Sequence, residues 1–429
     1  MTDASRVVTP AWLSAAVSWL TPRRLRAQAL VLALCLWGVC AADFATPGLF
    51  DRAGNIKFQD FLPLYASARM IAQGRARELY DQQAVAAEEF RIIGQRSTVR
   101  LPNLYGPQVV LLFVPLSRFS FLTAAEIWVA LSVLIYCACV YVVFKMCPSL
   151  SAYSKIVAIA AIGFPPLFHF FVRGQVSALV LACFTVAWLA YRSDRDWLAG
   201  IALGLLAFKP QFLIAVPFVF LLSRSWMSFA GLAVSVGAQF GVAWAYFGSA
   251  MMRAYFDTLW HVSRWISAIE LNLAPIQMHS LRSFWSLLIP WPEAALILYL
   301  VSCIGVVWIA AATWKSSSPL APRFSTLTLA AVLVNPHLFV YDLLVLAPVL
   351  LLDVDWTLYS VQLNSSSALF ALSYLAFILP LLGPLSRWTH IQLSVPVFVA
   401  LLWTLSRRSA EAISPTDGHK LASPNSHVV

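Results

Sequence analysis

The stretch YGPQVVLLFVPLSRF, residues 105–119, is apolar but carries Pro107 and Pro115, and whether it crosses a membrane decides the topology of everything around it. A spanning helix needs roughly 20 apolar residues, with a range of about 17–25. This run is too short and twice interrupted, so it is expected to be a re-entrant or surface segment. Further apolar runs lie on both sides, several of them of spanning length. One lies upstream at 27–44, and others follow near 122–145, 155–171, 175–191, 197–209, 211–223, 226–247, 292–314, 324–335, 337–353, 363–382 and 391–406. The basic residues test the count, because short cytoplasmic loops collect Lys and Arg. Arg23, Arg24 and Arg26, then Lys145 with Lys155, Arg192 with Arg195, Arg224, Lys315 with Arg323, and Arg407 with Arg408 fall on one side only if 105–119 does not cross. About twelve crossings follow, with both termini in the cytoplasm.

Composition agrees. Of 429 residues, 60% are hydrophobic and 11% charged, and the mean hydropathy is +0.77. A soluble domain carries about 25% charged residues, so this chain is expected to be an all-α polytopic membrane protein. The net charge of +10 does not indicate nucleic acid, since the basic residues are spread through short loops. The seven cysteines sit in or beside apolar runs and read as packing residues. Residues 23–42 look like a signal peptide, but the preceding segment is long and the apolar run is nearly a full span, so a retained first helix is expected. The chain divides into a cytoplasmic arm (1–22), one transmembrane domain (23–408) with outer loops at 45–105 and 249–290, and a disordered cytoplasmic tail (409–429).

The first outer loop holds KFQDFLPLYASARMIAQGRARELYD, residues 57–81. Phe61, Leu64, Tyr65, Ala68 and Ala72 recur at helical spacing, Arg69 and Gln73 lie off that face, and Gly74 is a stop. A short amphipathic helix along the membrane surface is predicted, with a second over 82–93. Asp60 directly precedes the first. It reads as a general base or as the helix cap, although Pro63 has no N–H to offer a cap. Asp43 and Asp51 are the rival carboxylates.

On the twelve-crossing topology, His169, Arg173, Gln175, Lys209, Gln211, Asn335 and His337 all fall on the outer side with Asp60. Polar residues at membrane depth are costly and mark function. Lys209-Pro210 and Asn335-Pro336 each break an apolar run, giving helix tips that project toward that side. One carboxylate with several cations suits sugar transfer from a lipid phosphate. The phosphate leaves already ionised, one base takes the acceptor proton, and cations steady the departing charge. Two paired carboxylates, as in glycoside hydrolysis, are not evident. Each residue also has a plainer reading. Arg173 and Lys209 could snorkel to the interface, His169 and His337 could be packing residues, and Asp342 could pair with His337 to orient its ring. Trp260, His261, Arg264 and Trp265 read as an interfacial helix. No Cys/His or carboxylate spacing resembles a metal site.

Several pieces occur in a familiar order: DF-x-x-x-Y-x-x-A-R with a following Gly and LYD (Asp60 to Asp81), YGPQVVLLFVPLSRF (105–119), FPPLFHFFVRGQVSALV (164–180), AGIALGLLAFKPQ (199–211) and NPHLFVYDLLVLAPVLLL (335–352). In this the chain resembles glycosyltransferase family 87, integral membrane enzymes that use polyprenyl-phosphate mannose and have the GT-C architecture. Gly106-Pro107 departs from the two prolines usual in that family. The resemblance implies a GT-C-type helical bundle and an inverting transfer at the extracytoplasmic face of a bacterial plasma membrane. The sugar would pass from a polyprenyl-phosphate donor, usually mannose, to a lipid or glycan acceptor. By the same resemblance Asp60 matches the family's base, and Arg173, Lys209 and His337 match positions near the donor phosphate or the reacting centre. Gln175 is expected with the phosphate ligands and Tyr65, Arg69, His169, Asn335 and Asp342 in support, and the lack of paired carboxylates leaves no metal or other cofactor expected. A lipid transporter or flippase would share broken helices and buried charges, but no internal repeat is visible. A non-catalytic subunit with the same fold is the other alternative.

Overall fold

A computed structural model describes residues 17–94, 103–273, 277–359 and 366–411. Most of the expected arm (1–16) and tail (412–429) lies outside these, as do the side chains of 262–276, which include Arg264 and Trp265. The described residues are overwhelmingly helical, with only two isolated bridges of β type. Six helical stretches are long and apolar enough to cross a membrane: Pro22–Phe44, Phe121–Lys145, Pro148–Arg173, Trp226–His261, Pro292–Lys315 and Ser367–Thr389. The chain is a membrane protein. Five shorter apolar stretches, among them Ser177–Arg192 and Leu320–Val334, lie between them. Leu320–Val334 is buried over most of its surface. A helix apolar all round is one that other helices surround.

In chain order the helices used below are α1 (Pro22–Phe44), α2 (Leu62–Ala72), α3 (Gln82–Ile93), α4 (Pro107–Phe113), α5 (Phe121–Lys145), α6 (Ser154–Ile162), α7 (Pro165–Arg173), α8 (Ser177–Arg192), α9 (Asp196–Gly204), α10 (Val216–Ser223), α11 (Trp226–Leu273), α12 (Leu281–Leu288), α13 (Pro292–Lys315), α14 (Leu320–Val334), α15 (Leu346–Tyr359), α16 (Ser366–Ile378) and α17 (Ser394–Glu411). Proline and glycine set the breaks. Gly163 and Pro165 divide α6 from α7, Lys209-Pro210 parts two short 3₁₀ turns between α9 and α10, and Asn335-Pro336 ends α14. The 105–119 run forms only α4 and a 3₁₀ turn to Arg118. That is about 20 Å of rise against the ~30 Å of a hydrocarbon core. It packs against α2, α5 and α11.

Close packing between α9 and α11 depends on small residues. A Cβ on Gly200 would lie 2.1 Å from the Ser228 carbonyl oxygen, and one on Gly231 would lie 2.2 Å from that of Trp197. In a bilayer, such small-residue contacts replace the hydrophobic drive that lipid removes.

Two expectations need correction. The helix after Asp60 is α2, but it does not lie on a surface. Leu62 to Ala68 and Met70 are all buried, and Phe61 packs among Phe113, Phe121 and Trp128. Nor is 249–290 mainly loop. The α11 helix continues through Leu273 after a turn at Gly248 (φ 80°, ψ 172°), and α12 follows. Past that turn, Met251, Met252 and Tyr255 pack on Met70, Leu79, Tyr80 and Val85, clamping the first polar loop against the bundle.

Candidate active site

The chain approaches Asp60 through a left-handed residue, Phe58 (φ 55°), whose ring is buried against Phe44 and Phe171. Ring burial on both sides holds a conformation that non-glycine residues rarely adopt. A 3₁₀ turn, Gln59–Phe61, follows and carries Asp60. Asp60 caps nothing: α2 begins at Leu62 with Phe61 before it and no side-chain cap, which removes the plainer reading of this carboxylate.

Arg173, Gly174 and Gln175 close on it from the end of α7. Gly174 is left-handed (φ +69°), and a Cβ there would sit 3.0 Å from Phe58 Cβ and 3.1 Å from Phe61 Cβ. Only glycine allows the two turns to touch. That contact brings both neighbours to the carboxylate. Gln175 Nε2 donates to Asp60 Oδ2 at 2.7 Å, and Arg173 Nη1 lies 3.9 Å from Oδ1. Gln175 is itself fixed: Tyr105 OH donates to its Oε1 at 3.3 Å, and Trp128 Nε1 donates to its backbone carbonyl at 3.3 Å. Burial, reinforced by the charge of Asp60, pushes the Tyr105 phenol up, so it stays protonated as a donor. The side chains of Arg173 and Asp60 remain 31% and 15% exposed, so a substrate can reach both.

A second cluster lies beside the first. Lys209 Nζ meets Asp342 Oδ1 at 2.6 Å, Ser177 Oγ donates to the same oxygen at 2.9 Å, and the Phe339 amide donates to Oδ2 at 3.4 Å. Both charged groups are buried. Tyr341 stands within electrostatic reach of Asp60, Asp342 and Arg173, linking the clusters. Asp342 was expected beside His337; the structure gives it to Lys209 instead. His337 takes its backbone N–H to Asn335 Oδ1 at 2.8 Å, and its half-buried ring meets Phe339 edge-on at 4.9 Å. His169, one turn before Arg173 on α7, is half-buried and electrostatically coupled to it.

Gln175 was expected at a donor phosphate and is found on Asp60. Tyr65 and Arg69 were expected in support of Asp60 and face another way: Tyr65 OH donates to the Phe119 carbonyl at 2.6 Å, and Arg69 pairs with Glu88. Of the rival carboxylates, Asp51 accepts the amides of Ala53 and Asn55 and so closes a turn. Among the described residues, no group of three or more His, Cys, Asp or Glu is placed to hold a metal.

His279 was missed by sequence reading. It is fully buried, its Nδ1 meets Ser394 Oγ at 2.6 Å, its amide donates to the Leu338 carbonyl, and it is coupled to His169. Burial pushes its imidazolium down to about 3, so it is neutral. A histidine in a long polar segment gave no signal that it would fold against Leu338 and Ser394.

The model of glycosyltransferase family 87 matches residues 103–336, more than half of the chain. The chain belongs to that family. No curated protein and no solved structure matches. In this glycosyltransferase the matched segment contains Tyr105, Arg173, Gln175, Ser177, Lys209 and Asn335. It begins after Asp60 and ends before His337 and Asp342. Asp60 therefore enters the site by geometry, through its bond to Gln175.

Proposed function

We propose that this glycosyltransferase moves mannose from polyprenyl-phosphate mannose to a lipid or glycan acceptor, with inversion, at the extracytoplasmic face of a plasma membrane. The carrying observation is the Arg173-Gly174-Gln175 turn, which holds one accessible carboxylate and sets one accessible guanidinium beside it. Asp60 takes the proton of the acceptor hydroxyl. The acceptor oxygen bonds to the anomeric carbon, the bond from that carbon to the phosphate oxygen breaks, and polyprenyl phosphate leaves on the opposite face. Arg173 is the group for that phosphate. Its planar fork matches a phosphate by two bonds, and drawing it toward the donor frees Asp60 from its neighbouring cation. Gln175 then keeps the carboxylate aimed. The Lys209–Asp342 pair fixes the adjoining tip, and His337 borders the sugar.

An apolar cavity of about 390 Å³ supports a lipid-linked donor. It is lined by Ala29, Tyr136, Val157, Leu351 and Phe377, and reaches Phe164 at the foot of the helix whose other end carries Arg173. A polyprenyl chain in that cleft places its phosphate one short helix away. The one-sided basic residues support about twelve crossings with the site outside, in a GT-C-type bundle.

The test uses purified protein in detergent with polyprenyl-phosphate mannose labelled in the sugar. Label should move to extractable acceptor with release of polyprenyl phosphate, and Arg173→Ala should raise the donor KM with the protein still folded. Transfer from a nucleotide sugar but not from the lipid phosphate would overturn the reading.

A further inference from the structure

A second cavity, of about 640 Å³, lies between α2, α3 and the turn leading into α5. It is polar where the first is apolar. Arg69, Gln73 and Arg91 form one wall, Ser117 and Ser120 the other, and Tyr65 lies between. The charges are built in from below. Glu88 is buried, its side chain 1% exposed, and it anchors three guanidiniums: Arg69 Nε at 3.3 Å, Arg75 Nη1 at 3.1 Å and Arg91 Nη1 at 2.8 Å. Arg75 has a further partner in Glu78 at 2.6 Å. Three cations thus face two carboxylates, and the excess positive charge is on the cavity side. Arg69 and Arg91 remain 35% and 59% exposed, each with one nitrogen on Glu88 and, among the described residues, no other partner for its fork. Arginines held by a buried carboxylate are pre-set, so a ligand need not order them.

The position narrows the ligand. Ser120 and Phe121 open α5, a membrane-crossing helix, and Phe119 at the mouth is 48% exposed. A 25-residue helix rises about 37 Å, more than the ~30 Å of a hydrocarbon core, so its first residues lie at the level of the lipid headgroups. Two fixed guanidiniums with hydroxyl and amide groups at that level suit a phosphate among sugar or polyol hydroxyls. We propose that this cavity, separate from the transfer centre, binds the phosphate of an anionic, polyol-bearing headgroup. A lipid and a free phosphate share that chemistry, and the experiment separates them.

Detergent-purified full-length protein is titrated with dioctanoyl phosphatidylglycerol, with dioctanoyl phosphatidylcholine and with inorganic phosphate, and binding is read by native mass spectrometry. The variants are Arg91→Gln, which leaves Glu88 two arginines, and Gln73→Glu, which adds a negative charge at an exposed position and keeps the bond from Arg75. Thermal unfolding checks that both remain folded. The expected result is saturable binding of phosphatidylglycerol, weakened by about tenfold or more in each variant, with phosphatidylcholine much weaker. Equal binding of inorganic phosphate assigns the site to free phosphate and overturns the headgroup. No saturable binding of either anion, or binding unchanged in both variants, overturns the site, and neither result bears on transfer at Asp60.

Discussion

Lys209→Met should destabilise the protein without abolishing donor recognition. In the structure Lys209 and Asp342 are each at most 5% exposed and lie 2.6 Å apart. Removing the ammonium leaves a buried carboxylate with only the Ser177 hydroxyl and the Phe339 amide. Breaking a buried pair on one side costs about 3–5 kcal/mol, whereas replacing both partners is far milder. Lys209→Met and Asp342→Asn should therefore each lower the temperature at which purified protein loses its sharp gel-filtration peak. The double variant should recover most of that loss, so the coupling between the sites should be at least about the 3 kcal/mol that one break costs. The donor KM of the folded fraction should stay near wild type. A stable Lys209→Met protein whose donor KM rises tenfold or more, with no rescue in the double variant, would refute this and make Lys209 a phosphate ligand.

Three other outcomes follow from particular contacts. Gly200→Leu should prevent accumulation of folded protein, because its side chain meets backbone of α11 at 2.1 Å, while Gly237→Leu, with open space around it, should be tolerated; equal yields of the two would contradict the packing. Gln175→Ala should lower kcat by about 10- to 100-fold with little change in donor KM, since a hydrogen bond to a charged group is worth about 1.5–3 kcal/mol; an unchanged kcat would detach Gln175 from the base. Glu89 is buried in α3, and burial pushes its carboxyl from 4.5 up to about 8. The folded state therefore holds its proton more tightly than the unfolded chain, and that stability is complete below about pH 4.5 and lost as pH rises through 8. Thermal stability of wild type should fall over this window and that of Glu89→Gln should fall less; parallel curves would contradict the assignment.

Much of the fold was legible because bilayers impose simple rules. Apolar run lengths gave most of the helices, and prolines gave their breaks. The helix expected near 82–93 is found at Gln82–Ile93, where Asp81 caps its first turn and Gly94 is left-handed at its end. The burial of α2 was misread because attention to one apolar face hid the other: Leu62, Pro63 and Met70 leave Arg69 as nearly the only polar exit. The site was legible as a set of polar residues on one side and illegible as a set of pairs. Gln175 reaches Asp60 across 115 positions, and Lys209 reaches Asp342 across 133. Such partners are chosen by how helices pack, which no local pattern records. Lys209, Asp342 and His337 were all marked, but the nearer neighbour in sequence was taken for the partner in space.

The central claim is that Asp60 is the base. The direct measurement is the rate of sugar transfer from polyprenyl-phosphate mannose by purified Asp60→Asn, beside Asp43→Asn and Asp51→Asn. Asparagine keeps the shape of Asp60 and a partner for Gln175 but cannot take the acceptor proton, so its rate should fall by about 10²–10⁴ with donor KM and folded yield close to wild type. The other two should stay within about threefold of wild type, Asp51 serving only its turn. An Asp60→Asn protein that transfers sugar at the wild-type rate would contradict the account.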